Sequence, residues 1–69
     1  MNSVDTGFRD CDDKIIFFGA LIYFLNDGTK GKIYRSKKEE SKGKPYIRWD
    51  DGFFDDLEQY HIYVRVYYE

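Results

Sequence analysis

A chain of 69 residues has room for one domain and, at that size, only a small core. Aromatic residues make up 20% of it, which supplies large buried area per residue, and the single cysteine, Cys11, excludes an intrachain disulfide and a four-cysteine zinc site. The net charge of −2 is segregated: residues 29–48 hold eight Lys/Arg against two Glu, and the remainder holds three against eleven Asp/Glu. Such a bipolar distribution points to a charged partner, or to a solvated loop with lysines guarding a strand edge.

Residues 1–13 are polar, with Phe8 as the one large ring, and read as a flexible N-terminal arm. The cluster Asp10-Cys11-Asp12-Asp13 lacks the ligand spacing and glycine of a calcium loop, so no metal is expected there. Residues 14–69 carry the domain. Lys14 to Leu25 reads as one long strand bent at Gly19 or as two short ones, because apolar residues occur in both registers. This run is too short to span a bilayer and follows aspartates rather than a basic segment, so a soluble, intracellular protein with no membrane contact is expected.

Asn26-Asp27-Gly28 is a turn. Gly31 to Lys37 is the next strand, with Ile33 inward and Tyr34 on the opposite face. The polar loop from Lys38 to Lys44 leads to Pro45, which opens a strand over Tyr46–Trp49 with Ile47 and Trp49 on one face. Asp50-Asp51-Gly52 between strand-like flanks is a hairpin signal, followed by a short strand over Phe53–Asp55. Leu57 to Tyr60 reads as one helical turn. His61 to Tyr68 alternates, with Ile62, Val64, Val66 and Tyr68 on one face, and reads as a half-buried strand. The fold class is all-β: about five strands in a small closed or partly closed barrel with one short helical turn.

That order of strands and turns resembles an SH3-like barrel, and in particular the Tudor domains, over Gly19 to Val64. The segment Ile47-Arg48-Trp49-Asp50-Asp51-Gly52-Phe53 is similar to the Tudor pattern between the third and fourth strands, and Gly31-Lys32-Ile33 is similar to the Tudor second strand. The resemblance implies a non-catalytic module that recognises a protein partner through a cationic or methylated side chain. It implies an aromatic cage with Trp49 and Phe53 as walls, Asp51 as the carboxylate facing the cation, and Tyr23 or Phe24 as the wall from the first strand. Ring faces attract such a cation by about 0.5–2 kcal/mol per contact. Trp49 and Phe53 also read as core or rim packing.

Asp27 to Arg35 resembles, in addition, the loop and strand of KOW-type barrels. It implies a nucleic-acid or ribonucleoprotein contact through Lys30, Lys32, Arg35, Lys37 and Arg48, with Tyr34 and Tyr46 interleaved to stack bases. A third alternative is a small phage-type inhibitor in which Asp50, Asp51, Asp55, Asp56 and Glu58 imitate a row of phosphates. No enzyme is expected. His61 has no serine or cysteine nucleophile at a recognisable spacing, and the turn carboxylates lack the burial that tunes an acid–base pair. No cofactor is implied.

Overall fold

Short strand-forming segments separated by turns lay down two antiparallel sheets in the computed structural model, which describes residues 4–68. Strands β1 (Asp5–Arg9) and β2 (Ile15–Phe17) form a hairpin. Strands β3 (Leu21–Phe24), β4 (Lys30–Arg35), β5 (Pro45–Trp49) and β6 (Phe54–Asp56) follow as a meander. The helical turn α1 (Leu57–Tyr60) runs into a 3-10 turn (His61–Tyr63), and β7 (Val64–Tyr67) returns to pair with β3. The larger sheet therefore has the order β6-β5-β4-β3-β7. The chain is all-β, and α1 with its 3-10 turn joins the two edge strands, an arrangement compatible with a small barrel.

One face of the sheet is the core. Ile22, Ile33, Ile47, Val64 and Val66 are buried there with Trp49, and Leu57 and Ile16 add to the same cluster from α1 and β2. Each fully buried aliphatic side chain contributes about 1.5–3 kcal/mol relative to exposure. That is a large share of the 5–15 kcal/mol or so that a domain retains. Phe8 and Phe18 pack against the cluster, so the small hairpin covers the inner face of the large sheet.

Two expectations are corrected and one alternative is decided. Part of the segment expected as a flexible arm is strand β1, paired with β2 and anchored by Asp10; Met1–Ser3 lie outside the described residues. Of the two readings of residues 14–25, the two short strands are the ones formed: Gly19 lies between β2 and β3, which belong to different sheets. The strand expected from His61 begins only at Val64, because residues 61–63 continue the helical turn. Val64 and Val66 are buried as the alternation requires, whereas Ile62 and Tyr68, expected on the same face, are exposed.

Asp10 explains how a polar segment is held in place. Its carboxylate is buried, with Oδ1 accepting N–H bonds from Asp12 at 2.8 Å and Lys14 at 2.9 Å, and Oδ2 accepting from Val66 at 2.9 Å. It thus closes the β1–β2 turn and fastens that turn to β7. Burial by itself raises its pKa, but the three backbone donors and the neighbouring Lys14 charge outweigh it and hold the group below 3.8. A depressed folded-state pKa stabilises the fold above the ordinary carboxylate range. That contribution is lost as pH falls through the folded value. Asp10→Asn turns one acceptor into a donor facing a backbone N–H. We expect it to cost about 2–3 kcal/mol at neutral pH. In thermal melts, the gap between Asp10→Asn and the parent chain should narrow on acidification below roughly pH 4. A pH-independent gap would contradict this role.

Candidate functional site

The aromatic and acidic residues singled out in the sequence do not converge. Trp49 sits opposite Gly31, where a Cβ would lie 2.9 Å from Trp49 Cε3 and 3.0 Å from the Arg48 carbonyl oxygen. Only glycine allows the indole to settle there. The ring is 6% exposed, its Nε1–H donates to Asp55 Oδ2 at 2.7 Å, and Phe24 meets it edge-on at 5.8 Å. Trp49 and Phe24 are therefore brought together, but in the core. Asp51 and Phe53 are brought together at the tip of the β5–β6 hairpin, where Asp51 Oδ1 accepts the Phe53 N–H at 3.1 Å. Gly52, at φ +94°, supplies the left-handed residue that closes this three-residue loop, and its N–H donates to the Trp49 carbonyl at 2.9 Å. Phe53 projects into solvent, 69% exposed. Tyr23 faces the other side of the sheet from Phe24, and its hydroxyl accepts from Arg65 at 3.2 Å.

That other side is the larger feature. Cross-strand register places Tyr67, Leu21, Lys32, Arg48 and Phe54 in one row across all five strands. Arg65, Tyr23 and Lys30 form the row on one side of it, and Tyr34, Tyr46 and Asp56 the row on the other. Five rings and four cations thus share a single face. Tyr34 and Tyr46 stack at 5.8 Å and 25°, and Phe54 meets Tyr46 edge-on at 5.7 Å. Lys30 lies 5.4 Å from the centre of the Tyr67 ring, and Lys32 lies 5.9 Å from that of Tyr34.

The cations are not equivalent. Arg65 is committed to Asp12, with Nε–Oδ2 at 2.7 Å, and its hydrogen bonds to Tyr23 and Asp12 raise its pKa further. Among the described residues no carboxylate forms an ion pair with Lys30, Lys32 or Arg48. These three line one shallow cleft with Tyr67. A second cleft of about 830 Å³ has Tyr34, Tyr46, Phe54 and Asp56 along the sheet and Lys37, Lys38 and Lys44 on the loop side. Of the five basic residues expected to act together, Lys30, Lys32 and Arg48 line the same cleft. Arg35 lies 4.4 Å over the Phe18 ring, and Lys37 belongs to the second cleft.

Phe54 and Tyr67 share this face although neither is among the binding residues expected from the sequence. Alternation places Phe54 with Asp56, and Tyr67 with Arg65, but only the register of four strand pairs assembles them beside Tyr34 and Tyr46. Of the expected acidic row, Asp55 holds the indole, Asp56 Oδ1 caps α1 through the Glu58 N–H at 3.0 Å, and Asp51 shapes its turn. His61 likewise serves the scaffold: its Nδ1–H donates to the Arg9 carbonyl at 2.7 Å, and its ring meets Phe8 at 5.1 Å. No three His, Cys, Asp or Glu side chains gather as a metal-binding group among the described residues, and no helix there is long and apolar enough to cross a membrane. Searches against protein-family models, curated proteins and solved structures return no match.

Proposed function

We propose that this chain is an SH3-like barrel that binds single-stranded nucleic acid across the outer face of its five-stranded sheet. The observation that carries the reading is the in-register interleaving of five rings with three lysine and arginine side chains that no carboxylate pairs among the described residues. A single strand presents ring faces and phosphates at alternating positions. Stacking contributes about 1–3 kcal/mol per base, and phosphate contacts add a salt-dependent term. Part of the chain's acidity lies away from this face or is already engaged: Asp10 is bound by backbone N–H groups in the N-terminal hairpin, Asp55 holds the core indole, and Asp12 is paired with Arg65. The SH3-like assignment is supported by the meander β3 to β6, the helical turn, and the return of β7 to β3.

A Tudor-type protein contact is the second reading, favoured by the exposed Phe53 beside Asp51 at the hairpin tip. It has to do without Trp49 and Phe24, whose rings are engaged in the core. A cationic side chain would also be repelled on the outer face by Lys30, Lys32 and Arg48.

The test is fluorescence anisotropy of a labelled single-stranded oligonucleotide across a salt series. Three phosphate contacts give a slope of about −2 in log K against log salt. Replacing both Lys32 and Arg48 by alanine should make that slope shallower by roughly 1.4. Affinity that ignores salt, or tighter binding to a methyl-lysine peptide than to the oligonucleotide, would overturn the proposal.

A further inference from the structure

We infer that the cleft between the Ser36–Lys44 loop and the ends of β4, β5 and β6 selects guanine. This rests on the nucleic-acid reading above and assigns the base that the second cleft takes. Its sheet side is aromatic: Tyr34 stacked on Tyr46, with Phe54 edge-on to Tyr46. Rings alone accept any base, because every base has a π-face. Discrimination has to come from the polar group beside them.

Asp56 is that group. It lines the cleft and stands directly across from Tyr46 in the β5–β6 register. A carboxylate offers about four lone-pair sites and no donor. The Glu58 N–H occupies one site on Oδ1, at 3.0 Å, and Oδ2 has no protein donor among the described residues. Asp55, which also borders the cleft, has its Oδ2 taken by the Trp49 indole at 2.7 Å. The remaining demand is for a base edge with two adjacent donors. Guanine provides it through N1–H and the N2 amine. Adenine and cytosine each present one exocyclic amine next to a ring acceptor. Uracil and thymine flank a single N3–H with two carbonyl oxygens, which the carboxylate repels. Lys37, Lys38 and Lys44 on the loop side are placed to meet the phosphates on either side of the held base.

The capping role of Asp56 supplies a clean variant. Asparagine is as good an N-cap as aspartate, so Asp56→Asn keeps the bond to Glu58 while turning the other half of the group into a donor. The experiment compares an oligouridine with the same oligouridine carrying one guanosine, one adenosine or one cytidine. Binding is followed by anisotropy, and a thermal melt of each protein verifies folding. The parent chain should favour the guanosine oligonucleotide by about 5- to 100-fold, the discrimination of one bidentate base contact. Asp56→Asn should abolish that preference, so that the guanosine oligonucleotide binds the variant no more tightly than oligouridine does. Equal affinity for all four oligonucleotides would overturn the guanine assignment and leave the platform standing. So would a guanine preference that survives in Asp56→Asn. Failure of every oligonucleotide to bind would overturn both.

Discussion

Trp49→Ala is expected to cost about 3–5 kcal/mol, the usual range for emptying a buried aromatic site. A domain of this size holds little more than that in reserve. The variant should therefore be largely unfolded at physiological temperature, as read by the loss of its cooperative thermal transition. The cost has three parts. The cavity lies against Gly31, which has no side chain to collapse into it. Phe24 loses its edge-on partner at 5.8 Å. Asp55 loses the indole donor at 2.7 Å. Trp49→Phe fills most of the volume and forfeits the hydrogen bond, so it should remain folded with a loss of about 1–3 kcal/mol. Gly31→Ala attacks the same contact from the other strand and should fall in a similar range, since the indole and the β5 backbone must both give way. A Trp49→Ala protein that melts like the parent chain would return the indole to the surface and restore it as a cage wall.

Tyr34→Ala combined with Tyr46→Ala should weaken single-strand binding by roughly 30-fold or more while the domain stays folded, each lost stack being worth about 1–3 kcal/mol. Both rings lie on the outer face, so their removal leaves the buried cluster intact. The stability lost is that of two aromatic pairs, Tyr34–Tyr46 and Tyr46–Phe54, about 1–3 kcal/mol together. The salt slope should not change, because the phosphate contacts remain. That separates this variant from the Lys32 and Arg48 pair, whose signature is a shallower slope. A folded double variant with parental affinity at every salt concentration would remove the stacking platform from the account.

Much of the scaffold was legible in the sequence. The turn at residues 26–28, the hairpin loop at 50–52, Pro45 at the head of β5 and the helical turn at Leu57–Tyr60 are all written in a few adjacent residues. So is the shared burial of Ile47 and Trp49, since alternation alone puts them on one face. Local chemistry fixes local conformation, and these features need nothing further. The start of β7 was misplaced because His61–Tyr63 alternates like a strand while the preceding helical turn carries on through it.

What escaped the sequence is everything that depends on which segments lie side by side. Asp5–Arg9 has little apolar pattern of its own and becomes strand through pairing with β2 and through a carboxylate that reaches β7 from Asp10. Trp49 passes equally well for a cage wall or a core ring until Gly31 is seen opposite it. The row Tyr67-Leu21-Lys32-Arg48-Phe54 joins residues from five strands. Period-two alternation decided which side chains of one strand point together. It could not decide which face would be covered, because that face is chosen by hydrogen-bond register and by the hairpin that packs upon it. The aromatic and basic residues were present in the sequence; the register of the tertiary structure made them one surface.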